Sequence, residues 1–155
     1  MLRTFLASKG EWSLPSSPFF HARLPLPPGI TQSYQVAKVS TVKGIRHQIG
    51  PSRALQRFQQ DAFFTLLDIR KADQDWALIN TIRDTRCRVS LYVEIKFFFP
   101  SQGKRNMSGG IDTVLDVVFT WLELNNSLVK SVTSAKFVDA EDPRCEIAVC
   151  CLVGK

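Results

Sequence analysis

The segment Val89–Phe99 alternates apolar and mostly polar side chains, and this regularity constrains the fold more than any other feature of the chain. Successive side chains of a β-strand point to opposite faces of a sheet, so the pattern predicts a strand with one face in a core. Pro100 marks its end, because proline has no backbone N–H to donate to a neighbouring strand. The apolar positions are Val89, Leu91, Val93, Ile95, Phe97 and Phe99.

The length of 155 residues suits one domain with a core of its own. Residues 1–18 contain Pro15 and Pro18 and show no periodicity, so we expect an irregular leader followed by a single domain over residues 19–155. No run of about eighteen apolar residues is present, which predicts that the protein has no membrane partner. The four cysteines lack zinc-site spacing, and buried reduced thiols are the simplest interpretation.

Hydrophobic periodicity predicts further strands and helices along the chain. Lys43-Gly44 indicates the turn of a hairpin, and Ser52 is a candidate helix N-cap. The predicted strands are 20–24, 33–40, 45–49, 89–99, 128–138 and 144–153, and the predicted helices are 53–67, 75–85 and 111–122. This order predicts an α+β domain, in which a mixed β-sheet is covered by helices on one face.

Positive charge is concentrated near the start of the chain, where the interval between Glu11 and Asp61 contains no acidic residue. The net charge of the whole chain is +6, and a basic stretch of this kind suits a polyanion such as nucleic acid. A solvated basic surface without a partner is the alternative interpretation. The candidate nucleic-acid-binding residues in this interval and beyond it are Lys38, Lys43, Arg46, Arg53, Arg57, Lys104, Arg105, Lys130 and Lys136.

The segment Lys104–Asp112 reads Lys-Arg-Asn-Met-Ser-Gly-Gly-Ile-Asp, and Leu115-Asp116 and Asn125-Asn126 follow it. This order and spacing resembles the metal-binding core of the RusA-type Holliday junction resolvases (crossover junction endodeoxyribonucleases). In that family the pattern is Arg-Asp-x-Asp-Asn, then a lysine, then Leu-Asp and an Asp-Asp pair.

Two further elements extend the resemblance to residues 20–149. Leu24–Pro28 with Tyr34 is similar to the family's Pro-Pro-x-x-Asn-x-x-Tyr opening, although Thr31 stands where asparagine is usual. Lys136 matches a family lysine, and Pro143–Ile147 resembles the closing turn and strand. The resemblance implies a RusA-like fold and a homodimer that grips a four-way DNA junction on a basic face.

The resemblance also implies magnesium held by aspartates, but neutral side chains stand at their positions here. The expected site is therefore a degenerate catalytic site, which consists of Asn106, Ser108, Asp112, Asn125 and Asn126. Asp112 replaces the family lysine. Magnesium requires hard anionic oxygen ligands, so we expect no metal and no other cofactor at this site. If the protein is an active nuclease, the expected cofactor is Mg²⁺.

Three hypotheses remain open. The first is a RusA-like protein of DNA recombination or repair that binds Holliday junctions and has lost metal-dependent cleavage, a pseudoenzyme. The second is a still-active magnesium-dependent endodeoxyribonuclease whose metal site is rebuilt from Asp112, Asp116 and Glu94. If Asp112 is not a metal ligand, we expect it in the first turn of its helix, where a negative charge is favourable. The third is a structural subunit of a nucleoprotein complex such as an organellar ribosome.

Two smaller expectations concern location and base contacts. We expect a cytoplasmic protein, with a mitochondrial location as the alternative because Met1–Gly10 is basic and lacks acids. Tyr34, Phe98 and Trp121 are candidates for stacking on unpaired bases. Trp121 falls on the apolar face of its helix, so we expect core packing for it rather than stacking, and a dimer interface is the alternative for Phe98.

Overall fold

The structure is a computed structural model that describes residues 17–28, 34–69, 74–84, 89–103 and 108–153. These residues form six strands, three α-helices and one 3₁₀ turn. In chain order they are β1 (Phe20–Leu24), β2 (Tyr34–Thr41), β3 (Gly44–Pro51), α1 (Arg53–Leu67), α2 (Trp76–Asp84), β4 (Val89–Phe99), α3 (Ser108–Leu122), the 3₁₀ turn (Asn126–Leu128), β5 (Val129–Val138) and β6 (Arg144–Val153). Residues 1–16 of the predicted leader lie outside the described residues.

The main sheet of the described residues has four strands in the order β1-β6-β4-β5. β6 pairs antiparallel with both β1 and β4, whereas β4 and β5 run parallel and are joined through α3. A parallel pair needs a long crossover connection, and a helix such as α3 supplies it. The predicted α+β class with a mixed sheet is therefore confirmed.

One face of this sheet packs against the helices. Val93 and Ile95 on β4 are buried together with Phe58 on α1, Ile79 on α2 and Val118 on α3. The register sets Val93 opposite Val149 and Ile95 opposite Ile147, so apolar side chains of neighbouring strands share this face. The apolar positions that alternate along β4, such as Val93 and Ile95, thus face the helices, and the residues between them face the other side of the sheet.

The hairpin β2–β3 forms a separate two-stranded sheet. Thr41 pairs with Gly44, whose φ of 123° is a conformation that glycine adopts without strain and that other residues rarely take. β3 leads directly into α1, where the Ser52 hydroxyl accepts a hydrogen bond from the Leu55 backbone N–H at 3.2 Å. Both the hairpin at Lys43-Gly44 and the Ser52 N-cap are confirmed.

Helix α3 begins at Ser108, earlier than predicted, with two glycines in its first turn. A Cβ added to Gly110 would lie 3.1 Å from Cγ of Pro27 and 3.5 Å from the Phe97 ring. The helix start is therefore fixed by close packing rather than by local helix propensity, and it joins the proline segment after β1 to the end of β4.

The end of α3 is closed by a Schellman motif centred on Glu123, whose φ is 56°. The Leu124 N–H donates to the Phe119 carbonyl at 3.0 Å, and the Glu123 N–H donates to the Thr120 carbonyl at 3.2 Å. Glycine is the usual residue at this left-handed position. Leu124 is buried and anchors the turn in the core.

The outer edge of β1 is occupied by side-chain and backbone groups from the segment before α2. Gln74 accepts from the His21 N–H at 2.9 Å and donates to the His21 carbonyl at 2.8 Å. The Asp75 N–H donates to the Phe19 carbonyl at 3.0 Å. The side-chain amide of Gln74 thus makes the pair of bonds that a neighbouring strand would make.

Candidate nucleic-acid interface

The residues that align with the family aspartates are distributed around α3. Lys104, Arg105 and Asn106 lie outside the described residues, and Ser108 is the first residue of the helix. Asp112 is exposed at the fifth helical position. The expectation that Asp112 lies in the first turn is wrong, because the helix begins earlier than the glycines suggested, so the N-terminal dipole stabilises its charge less.

Asn125 and Asn126 follow the opposite end of the same helix. A helix of 15 residues is about 22 Å long, so one chain does not bring these asparagines close to Ser108. Asn125 caps the 3₁₀ turn, where its side-chain oxygen accepts from the Ser127 N–H at 2.9 Å. Asn126 is exposed. The asparagine at position 125 therefore has a local structural role that an aspartate could also fulfil.

The three acids of the rebuilt-site hypothesis do not converge. Asp112 and Asp116 are exposed on α3, which packs on the Val93 and Ile95 face of the sheet. Glu94 alternates with those residues and therefore lies on the other face, 7% exposed. In the part of the chain that the structure describes, no three His, Cys, Asp or Glu side chains form a group able to hold a metal ion.

The basic residues that the sequence singled out and the structure describes lie in two regions. Lys38 and Arg46 belong to the β2–β3 hairpin, with Lys43 exposed at its tip. Arg53 and Arg57 are exposed on α1, one turn apart, directly after the hairpin. The second region is β5, an edge strand of the main sheet, where Lys130 and Lys136 are exposed.

Sequence reasoning missed a charged cluster on the sheet face away from the helices. Arg144 donates through Nη1 to Asp139 and through Nε to Glu146, both at 2.8 Å. Burial alone would lower the pKa of Arg144, but the hydrogen bonds to Asp139 and Glu146, together with the negative charges of Glu146 and Asp142, raise that pKa. Lys96, only 2% exposed, lies opposite Glu146 in the strand register. The polar positions of β4 were the available signal for this cluster.

Phe98 belongs to the same face and is not available for base stacking. It is 0% exposed, with its ring centroid 5.0 Å from that of Phe137 and 3.8 Å from the guanidinium carbon of Arg144. The expectation of an exposed Phe98, for DNA or for a dimer interface, is therefore wrong. Phe98 is buried because Arg144 forms a cation–π contact with its ring and the ring of Phe137 stacks on it, and both residues are remote from Phe98 in the sequence.

The expectation that Trp121 packs against the core is confirmed. Its ring centroid lies 5.5 Å from that of Trp76 and 6.0 Å from that of Phe20, and it packs against the core. The side chain of Tyr34 lies outside the described part of the structure. Trp76 Nε1 is a buried donor for which the described residues provide no hydrogen-bond acceptor.

A groove lies between α1 and α3 on the outer surface of the helical layer. Its cavity has a volume of about 210 Å³. Apolar side chains from both helices and a few polar groups form its walls. The lining residues are Gln59, Phe63, Asp116, Val117, Thr120 and Trp121.

Comparisons with known proteins leave the family of this chain open. No protein-family model matches it, and no curated protein matches it. Among solved structures, it is similar to 2C-methyl-D-erythritol 2,4-cyclodiphosphate synthase from Plasmodium vivax, with 9% sequence identity and a TM-score of 0.27. That superposition covers 89% of this chain and 96% of the synthase, and at such a TM-score it carries no information on function. Within the described residues, no helix is both long and apolar enough to cross a membrane.

Proposed function

We propose that this protein binds branched DNA in the manner of a RusA-like homodimer and does not cleave it through a bound metal. The observation that carries the proposal is the basic unit formed by the β2–β3 hairpin and the first turns of α1. This unit contains Lys38, Lys43, Arg46 and Arg53, and the sequence between Glu11 and Asp61 has no acid to offset them.

The shape of this unit suits DNA. Each hairpin strand has 8 residues and so extends about 26 Å, with Lys43 at the tip and Arg53 at the base. A two-stranded ribbon fits the major groove, which is about 12 Å wide. Arg53 in the first turn of α1 adds a cation beside the helix N-terminal N–H groups, and both favour a phosphate.

The absence of cleavage is supported by the acids that the structure describes. Glu94 lies on the opposite face of the sheet from the helix that carries Asp112 and Asp116, and neutral residues stand at four of the positions that match the family aspartates, Asn106, Ser108, Asn125 and Asn126. Contacts to phosphates need positive charge and hydrogen-bond donors but no metal ion. The basic residues of the chain are therefore sufficient for DNA binding without cleavage.

The test is a gel-shift titration of a labelled four-way junction in EDTA, with a linear duplex of the same sequence as competitor. We expect the junction to bind tighter than the duplex. The double substitution Lys43→Ala and Arg53→Ala should weaken binding at least about tenfold and reduce the slope of log affinity against log salt by about two. Arg23→Ala is the matched control, because Arg23 is an exposed arginine on β1 that pairs with Asp142 outside the basic unit.

The same complexes are then incubated with Mg²⁺ or Mn²⁺. Bound and uncut junctions are the expected result. Symmetrical nicking that Asp112→Ala or Asp116→Ala abolishes would replace the proposal with the active-nuclease hypothesis. Failure to bind either DNA, together with recovery of the protein in a stoichiometric complex with RNA, would favour the structural-subunit hypothesis.

A further inference from the structure

The solvent side of α1 carries an apolar surface in its C-terminal half. Phe63, Phe64 and Leu67 are 48%, 58% and 57% exposed, although each is a large apolar side chain. Phe58, Ala62 and Leu66 already give the helix its buried face, so these three are not needed for the core. A contiguous exposed apolar surface of this kind usually marks an interaction site.

The groove between α1 and α3 continues this surface. Phe63 lines it from α1, and Val117 and Trp121 line it from α3. Its volume of about 210 Å³ is large enough for an apolar side chain of another molecule. The partner that occupies this surface therefore presents large apolar side chains of its own.

Charge along α1 indicates what that partner is. The N-terminal half has exposed Arg53 and Arg57 and no acid, whereas Asp61 and Asp68 lie towards the C-terminal end. Arg57, Phe64 and Asp68 fall within about 40° of one another around the helix axis, at 100° per residue. Phe64 thus lies on one side of the helix between a cation, Arg57, and an anion, Asp68, and Leu67 and Phe63 adjoin it.

We propose that a second copy of this chain covers this surface, with the two α1 helices packed antiparallel about a two-fold axis that lies level with the midpoint between Arg57 and Asp68. In that arrangement Arg57 of each subunit faces Asp68 of the partner subunit, and symmetry repeats the ion pair. Phe64 and Leu67 of both subunits are buried between the two pairs. Antiparallel packing sets opposite charges at these two positions together, whereas parallel packing would set Arg57 beside the partner's Arg57.

This inference deepens the homodimer of the proposed function by assigning its interface, and it does not rest on DNA binding. It assigns Arg57 to the interface between subunits, while Arg53, one turn earlier, remains with the phosphate-binding unit. The two assignments predict opposite behaviour for two neighbouring arginines of the same helix.

The experiment is sedimentation equilibrium of the full chain in the absence of nucleic acid. We expect a wild-type dimer whose dissociation constant rises at least about tenfold in Arg57→Asp and in Asp68→Arg, because each reversal opposes like charges twice. The double variant Arg57→Asp/Asp68→Arg restores both pairs with inverted sign, so its dissociation constant should return to within about threefold of wild type. Only pairing of the helix with itself gives that rescue.

Arg53→Asp is the matched control, since it makes the same charge change on the same helix. It should leave the dimer intact and weaken junction binding. A wild-type chain that stays monomeric at about 100 µM, or a dimer that neither charge reversal weakens, would overturn the inference. Phe64→Ser tests the apolar contact independently of charge, and a Phe64→Ser variant that is folded by circular dichroism yet as dimeric as wild type would also overturn it.

Discussion

The guanidinium of Arg83 closes the end of a helix other than its own. Its Nε donates to the backbone carbonyl of Leu122, the last residue of α3, at 2.6 Å. The terminal carbonyls of a helix have no hydrogen-bond donor within the helix and carry partial negative charge. Arg83 of α2 supplies both a donor and a positive charge to one of these carbonyls. This bond ties α2 to the α3 crossover.

We expect Arg83→Ala to lower the free energy of unfolding by about 1–2 kcal/mol, because a charged donor to a helix carbonyl is lost. Urea denaturation measures the change. Asn80→Ala removes the other hydrogen bond of this guanidinium, from Nη1 to Asn80 Oδ1 at 3.1 Å, and leaves the bond to Leu122. A loss in Asn80→Ala as large as that in Arg83→Ala would show that the helix carbonyl is not the main partner.

Replacing Glu123 by glycine should stabilise the protein. Glu123 holds a φ of 56° in the Schellman motif, and a side chain with a Cβ is strained there. We expect Glu123→Gly to raise the free energy of unfolding by about 0.5–1 kcal/mol, the relief of strain exceeding the entropy that glycine adds to the unfolded chain. Glu123→Ala keeps the Cβ and should show no gain; an equal gain in both variants would assign the effect to the carboxylate.

Gly110→Ala should have the opposite effect, although alanine is the better helix former. The new Cβ would approach Cγ of Pro27 to 3.1 Å and the Phe97 ring to 3.5 Å. The proline ring is stiff and Phe97 is in the core, so we expect a net loss of about 1 kcal/mol in thermal or urea unfolding. Gly103→Ala is the control, because no atom of the described residues lies within 4 Å of a Cβ added to it. A stabilised Gly110→Ala would mean that the proline segment can move away.

Stability should fall as the pH rises above the ordinary thiol range. Burial, and to a lesser degree the charge of Glu146, raises the pKa of Cys145 well above its usual value, and burial also raises the pKa of Cys151. The unfolded thiol loses its proton near pH 8.5 whereas the folded one keeps it, so alkaline pH favours the unfolded state. The buried Cys145 thiol contributes stability below that pH, and this contribution falls by about 1.4 kcal/mol per pH unit above it. Cys151 acts in the same direction.

Urea unfolding between about pH 8 and 9.5 measures this slope. Cys145→Ala should be less stable at pH 7 but should show a shallower decline with pH than the wild type. An unchanged slope in Cys145→Ala would show that other groups set the alkaline behaviour.

Local patterns were sufficient to predict most elements of the fold. The alternation over Val89–Phe99 is a property of the strand itself, and Lys43-Gly44 and Ser52 carry the chemistry of a turn and a cap. The start of α3 was not predictable in this way. Gly109 and Gly110 are typical of a loop, and they are helical because Gly110 packs on Pro27 and Phe97, which are remote in sequence.

The sequence predicted which residues belong to the candidate site but not the distances between them. Ser108 and Asn126 are separated by α3, a distance that depends on where the helix begins and ends rather than on the motif. The burial of Phe98 depends on Arg144 and Phe137, which reach it from two neighbouring strands. Sequence reasoning placed Phe98 on the more polar face correctly but could not show that this face is occupied by a charged cluster.

The Gln74 side chain that pairs with His21 also limits how copies of this protein can associate. A sheet grows into a filament when one edge of each subunit accepts the opposite edge of the next, and exposed strand edges are the usual template. Here the middle of the β1 edge already has its donor and acceptor satisfied by an amide from the same chain. Head-to-tail addition of β5 to β1 would have to displace this amide, so Gln74 disfavours open-ended polymerisation.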